Sequence, residues 1–364
     1  MSKTIDYLNR FGIEKLQEEF SIKVSIDERF PDLLVLNYNQ IESPKDHLIV
    51  KECRSLVVKE KETGVTYSAV SRAFDRFFNQ GECDLEFDLS KLKLFEKVDG
   101  SLVSVFYTED YGWMYRTKSM IMPTLSVQGW DRTWKDLIET SLDWQNITGL
   151  DKNCTYIFEV VARENRVVVN YQKDKAYLLA VRDNESGDYS EIVTTKFNTP
   201  RTYSFNTTKE CMESLQHLPN LEEGYVGYQD RVPVVKIKSP QYLAAHRLRG
   251  EGLTPKRMIE MVVIGEYEEY FSVFPEDKQY FTKYINAWER LKEVVVLQYE
   301  QNKMIEDKKS FALNVKDLFF SAVLFQARNS GKSVIKTLNS QKDSYKIKLL
   351  EQALKEGYEE GVME

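Results

Sequence analysis

The feature that most constrains this chain is a change of periodicity near residue 245. Before it, short β-branched and aromatic runs alternate with turns. After it, strand signals nearly vanish and helical spacing takes over at roughly 255–264, 276–306, 308–328 and 341–356. Sheets and helices bury their apolar faces differently, so one layer arrangement cannot serve both halves. At 364 residues the chain is long enough for two cores. The expectation is an α+β chain: antiparallel sheets with flanking helices over 1–245, then an all-helical domain over 246–364. Gly250 and Gly252 lie close to that boundary.

Within the first part, Ile5, Leu8, Phe11, Leu16 and Phe20 are spaced as one face of a helix over 5–20. Strands are expected at 33–38 and 55–58, a hairpin over 102–118 turning at Glu109–Gly112, and a helix from Pro123 to about Trp144. Further strands are expected at 156–161, 166–171 and 176–181. Thr207-Thr208-Lys209-Glu210 has capping-box spacing and starts a short helix ending before Pro219. A last hairpin joins 224–228 to 234–238.

Composition removes several classes. No run of about 18 apolar residues exists, which argues against a membrane span. The N-terminal residues lack an apolar segment of the secretory kind, so the expected location is cytoplasmic, or host cytoplasm for a viral chain. Cys53, Cys83, Cys154 and Cys211 lack CxxC spacing, and the three histidines are scattered, so disulfides and zinc are poorly supported. A net charge of −7 argues mildly against a protein that coats nucleic acid, without excluding a local basic groove.

Phe95-Glu96-Lys97-Val98-Asp99-Gly100-Ser101 sets one lysine between an apolar strand and a tight turn. An amine attacks phosphorus only when neutral, and at a pKa near 10.4 only about one lysine in a few thousand is neutral at pH 7. Lowering that pKa by ~3 units costs roughly 4 kcal/mol, which burial, nearby cations or a metal could supply. Gly100 allows a ligand close to the backbone. Read alone, the stretch fits a solvated strand-end lysine equally well. Glu159 interrupts an otherwise apolar strand, where a carboxylate is costly unless it is paired, hydrogen-bonded or metal-bound. Glu223 precedes Gly224 and a strand, a place where an acid could hold hydrated magnesium. Lys236 and Lys238, two apart on a strand, point to one face and repel unless an anion lies between them. Arg54, Arg76, Phe77 and Phe78 add guanidinium groups suited to phosphate and rings suited to a purine, one phenylalanine being expected in the core.

Lys97-Val98-Asp99-Gly100 matches the K-x-D-G nucleophile motif of covalent nucleotidyltransferases. Together with Glu52-Cys53-Arg54, Arg76-Phe77-Phe78-Asn79, Phe158-Glu159, Asn165-Arg166-Val167, Glu223-Gly224-Tyr225-Val226 and Lys236-Ile237-Lys238-Ser239, the chain resembles the RNA ligase 1 family of phages, in order from about residue 35 to 245. The resemblance implies a nucleotidyltransferase domain over 1–245 and an ATP-dependent RNA ligase, with ATP as AMP donor and Mg2+ or Mn2+ as metal. It implies a lysyl-AMP on Lys97, with Lys236 and Lys238 assisting pyrophosphate departure. Nucleotide contacts are implied for Tyr38, Arg54, Arg76, Phe78, Lys97, Gly100, Lys118, Glu159, Lys236, Lys238 and Tyr242, and metal contacts for Glu159 and Glu223. The implied partners are single-stranded or nicked RNA ends, tRNA repair included, acted on by a monomer. Arg76 stands where the family usually has lysine, which keeps the charge but changes its geometry.

Two rivals remain at this level. A DNA ligase or capping enzyme carries a small β-barrel after the paired lysines, where this chain turns helical. A non-catalytic nucleic-acid-binding protein of the same fold suits the acidic total but not the full set of reactive residues. Asn329-Ser330-Gly331-Lys332-Ser333 is not a P-loop, because Gln326 stands where the first glycine is required. The helical part, with Lys332, Lys336, Lys342, Lys346 and Lys348, reads as a substrate-selecting module or as a solvated amphipathic face.

Overall fold

A computed structural model describes residues 2–62, 66–82, 87–128, 130–147, 149–192, 196–250 and 253–359. Cys83 and Gly252 lie outside the described residues. The chain forms two compact units, 1–250 and 251–364. Helix Pro240–Arg249 runs unbroken across residue 245, so the units part after Gly250. The class is α+β.

Among the described residues the first unit holds three sheets. The first is a meander of Ile22–Asp27, Phe30–Tyr38, Arg54–Glu62 and Thr66–Ser71. The second runs Tyr189–Ser190, Lys175–Asp183, Cys154–Val161, Ser101–Thr108, Gly112–Arg116. The third runs Thr202–Tyr203, Lys93–Glu96, Gly224–Gln229, Val232–Lys238, Phe78–Asn79. All neighbours are antiparallel except Phe78–Asn79, which lies parallel to Val232–Lys238.

Each sheet buries one face under a helix, as one-sided apolar alternation requires. Lys3–Phe20 places Leu8, Leu16 and Phe20 on Leu34, Leu36, Leu56 and Val58. Trp134–Leu142 places Leu137, Ile138 and Leu142 on Val103, Val105, Phe158 and Val160. Thr208–Ser214 places Cys211 on Tyr225, Val235 and Ile237, and Thr207 caps it by accepting from the Glu210 amide. A further core joins the first two sheets through Leu33, Val35, Val57, Phe106 and Met114. Cys53, Cys154 and Cys211 are buried free thiols.

Three sequence expectations are corrected. The helix expected from Pro123 begins only at Trp134, because Ser126 bridges to Thr133 and Met122 and Gln128 take left-handed backbone. Residues 166–171 are not a strand. Their Val168 and Val169 amides bond to the Asp99 carboxylate instead of to a neighbouring strand. In the second unit, 308–328 splits into Lys308–Val315 and Ser321–Ser330, since the buried series Phe311, Val315, Phe320, Leu324 steps by five at the break.

The regular secondary structure of the second unit's described residues is all helical. Its axis is Lys278–Asn302, which buries Phe281, Tyr284, Trp288, Leu291 and Val295 at helical spacing against Pro255–Ile264 and Asp343–Lys355. A buried hydrogen bond of 2.7 Å from Tyr270 to Asp277 compensates the carboxylate in that core. Among the described residues no helix is long and apolar enough to cross a membrane.

Candidate active site

A cavity of about 660 Å³ opens between the second and third sheets of the first unit. Alternation along Lys93–Glu96 directs Lys93, Phe95 and Lys97 to it, with Val226, Tyr228 and Lys236 from the neighbouring strands. Leu102, Glu159, Ala180 and Tyr189 form the facing wall. Phe74 and Phe77 close the side that carries Arg54.

The Lys97 amide extends the strand pairing by donating to the Gly224 carbonyl at 2.8 Å. Its side chain is 22% exposed, its Nζ donates to Glu223 Oε2 at 2.7 Å, and Lys238 Nζ lies 2.8 Å from the other oxygen. The anion that relieves like-charge repulsion here is therefore Glu223, and it sits between Lys97 and Lys238. Lys236 turns elsewhere: its Nζ donates to the Phe77 carbonyl at 3.1 Å and stands 4.4 Å from that ring.

The turn after Lys97 is fixed by Asp99, 3% exposed. Its carboxylate accepts from the Val168 and Val169 amides at 2.7 and 2.8 Å and from the Tyr242 hydroxyl at 2.7 Å. Three donors offset the desolvation that would otherwise make this acid intolerable. Asn165 braces the same turn, receiving the Ala162 amide at 2.7 Å and donating to the Val160 carbonyl at 2.8 Å. A Cβ on Gly100 would stand 2.4 Å from the Val160 carbonyl oxygen, so the close approach required there is by a neighbouring strand.

Charge at the site is distributed unevenly. Burial pulls the Lys97 pKa down, but the Glu223 and Glu159 charges outweigh it, and the net is a rise above the ordinary lysine value. The depression expected at Lys97 occurs at Lys236, lowered to about 7 by burial, then by Arg54 and Lys97. Glu159 is raised to about 8, by burial first, with Lys97 opposing and Glu223 and Asp99 adding. Burial lowers Arg54, and its Nη1 is buried without a partner, as a guanidinium awaiting an anion would be.

The remaining expected residues lie further out. Tyr242 is buried beneath Asp99 and below Lys238, whose Nζ is 5.5 Å from its ring. Tyr38 packs against the first core, close enough to Arg54 to favour its charge. Arg76 pairs with Glu82 at 2.5 Å and lies 4.3 Å over Phe78, neither of the two lining the cavity. Lys118 is exposed, and its carbonyl accepts from Asn37 Nδ2 at 3.1 Å. Sequence reading overlooks Tyr189 and Tyr228 as cavity walls, and Phe77 lines the cavity where Phe78 was expected.

Carboxylate oxygens are the donors a hard divalent ion prefers. Glu159 fits such an ion, because a nearby cation would favour the ionised form that burial now resists. Glu223 fits it less well, since each of its oxygens already holds a lysine. Among the described residues no group of three or more His, Cys, Asp or Glu side chains is arranged to hold a metal.

The sequence profile of a family described as RNA ligase matches residues 52–242. A putative bifunctional polynucleotide kinase/RNA ligase of Autographa californica nuclear polyhedrosis virus is 33% identical over 302 residues, covering 76% of this chain and 42% of that protein. A putative RNA ligase of Thermovibrio ammonificans is 30% identical over 211 residues, covering 52% of this chain and 53% of that protein. The chain thus spans about half the length, or less, of these two relatives. A solved archaeal ATP-dependent RNA ligase aligns with TM-score 0.45 and 12% identity over 90% of this chain and 79% of that one.

Proposed function

The chain belongs to the RNA ligase family, and from that premise we propose that it is an ATP-dependent RNA ligase working through a lysyl-AMP on Lys97. In the first step Lys97 Nζ attacks the α-phosphorus of ATP, a P–N bond forms, and pyrophosphate leaves. AMP then passes to an RNA 5′-phosphate, freeing Lys97. A 3′-hydroxyl next attacks that phosphate, sealing the strand and releasing AMP. The substrates on this reading are single-stranded or nicked RNA ends, tRNA among them, joined by a monomer in the cytoplasm.

The observation that carries the reading is the Lys97–Glu223–Lys238 array, whose Lys97 lines a cavity together with Lys236 and Arg54. Phosphoryl transfer depends mainly on positioning and positive charge, which these groups supply. Lys97 must first lose a proton, and Glu223 Oε2 at 2.7 Å is the acceptor in reach. With its pKa held above the ordinary lysine value by Glu223 and Glu159, the amine is protonated at pH 7, so an incoming triphosphate has to redistribute the charge. Lys236, poised near 7, takes up a proton when phosphate oxygens approach. Arg54 offers its unpartnered Nη1 to the same oxygens. Glu159 would hold a Mg2+ or Mn2+ ion, which when bound would supply further neutralisation of phosphate charge.

The test is Lys97→Ala, assayed with ATP carrying a labelled α-phosphate and with pre-adenylylated RNA. The variant is expected to take no covalent label yet to seal the pre-adenylylated strand at a measurable rate. Covalent label on the variant would reject Lys97 as the nucleophile.

A further inference from the structure

Arg116, which ends the strand Gly112–Arg116, is 1% exposed and lies outside the cavity lining. Its Nε donates to Ser71 Oγ at 3.1 Å and its Nη1 to the Thr117 carbonyl at 3.3 Å. Its Nη2 is buried with no partner. Two hydroxyls close by in the fold share that condition: Ser104 Oγ, on the residue paired with Arg116 across the strands, and Thr117 Oγ1. Ser104 is itself 1% exposed. Among the described residues no carboxylate compensates the guanidinium, and burial is the sole influence on its pKa, which falls to about 9.

A buried charge without a counterion is strongly disfavoured, and buried donors without acceptors add to the cost. Arg116 remains cationic at neutral pH. Water could satisfy the hydrogen bonds but would leave the charge uncompensated. We infer that Arg116, Ser104 and Thr117 enclose a binding site for a small monatomic anion of the chloride type. With Arg116 and Ser104 each 1% exposed, a small anion suits the site better than a polyatomic one such as phosphate.

The site has a place in the architecture of the cavity. Thr117 leads to Lys118, whose carbonyl accepts from Asn37 Nδ2 at 3.1 Å. Asn37 Oδ1 accepts the Ser55 amide at 3.0 Å, and Ser55 holds a left-handed φ of 62° beside Arg54. An anion at Arg116 therefore steadies the base from which Arg54 reaches the cavity. Neither the ATP reading nor the choice of nucleophile is needed for the anion to bind.

The test uses the full-length protein. Crystals grown with bromide replacing chloride should show an anomalous peak within hydrogen-bonding distance of Arg116 Nη2. In solution, Tm should rise by about 2–5 °C as chloride replaces gluconate at constant ionic strength, and Arg116→Met should flatten that rise. Absence of the bromide peak, with only an uncharged light atom in its place, overturns the assignment. So does a chloride response that survives Arg116→Met. If that variant does not fold, the bromide crystal of the unaltered protein decides.

Discussion

Two residues that line the cavity hold protonation states opposed to those their chemistry requires. Lys97 is kept charged chiefly because acidic partners overcome its burial. Glu223→Gln removes the nearest of those charges, so the amine is neutral at lower pH. The expected outcome is a pH–rate profile for lysyl-AMP formation displaced toward acid, with the maximal rate lower by roughly 10²-fold or more because the proton acceptor is also gone. A profile with an unmoved limb would show that Glu223 does not set the Lys97 charge. Glu159 gives a stability prediction. Its folded pKa of about 8 lies above the ordinary 4.5, so the unfolded chain loses this proton first as pH rises. Its contribution is complete below about 4.5 and disappears as pH passes 8. The carboxyl opens on the cavity and keeps some contact with water, so the loss is on the order of 1–2 kcal/mol. Thermal melts of ligand-free protein between pH 5 and 9 should show that decline, and Glu159→Gln should reduce it.

At the scale of elements, the hairpin of Gly224–Gln229 and Val232–Lys238 unites most of the chemistry. Gly224 has φ +134°, and a Cβ there would stand 2.0 Å from the Ile237 carbonyl oxygen. Its own carbonyl receives the Lys97 amide, so Gly224→Ala strains the backbone and separates Lys97 from Glu223 together. The expected cost is about 3 kcal/mol or more in urea denaturation, with loss of covalent labelling. Native stability within about 0.5 kcal/mol of the unaltered protein would contradict the geometry. This hairpin is legible in sequence, because lysines and a glutamate in apolar alternation stand out from their neighbours. Residues 166–171 mislead for the converse reason. Val167-Val168-Val169 has strand composition, but the acceptor that captures two of its amides is Asp99, nearly seventy positions earlier, and no local pattern reports that. Phe77 and Phe78 show a smaller limit. Neighbouring strand residues face opposite sides, and a two-residue strand offers no period from which to choose the inward one. Tyr189 lies in another two-residue strand and is hidden for the same reason.

For the molecule as a whole, the change of periodicity near residue 245 corresponds to a change in how the chain is stabilised. Residues 1–250 bury three helix-on-sheet cores of their own. Lys97, Glu159, Glu223, Lys236 and Lys238 all belong to that unit, and Asp99 is satisfied by Val168, Val169 and Tyr242 within it. The residues that line the cavity belong to the first unit. The helical unit presents exposed lysines at 332, 342 and 348 and a half-buried one at 336, while Lys346 pairs with Asp343 at 2.8 Å. We propose that this unit selects the RNA and leaves nucleotide chemistry to the first. A chain ending at Gly250 should unfold cooperatively and form lysyl-AMP within about tenfold of the full-length rate, since domains with their own cores can fold alone. Its preference among RNA ends should change, and its RNA binding should depend less steeply on salt as lysine–phosphate contacts are lost. Competition between nicked and single-stranded RNA, measured for both chains over a salt series, separates the outcomes. Normal labelling with unchanged RNA choice would remove the selecting role from the helical unit. Loss of labelling in a properly folded fragment would instead make that unit part of the adenylylation machinery.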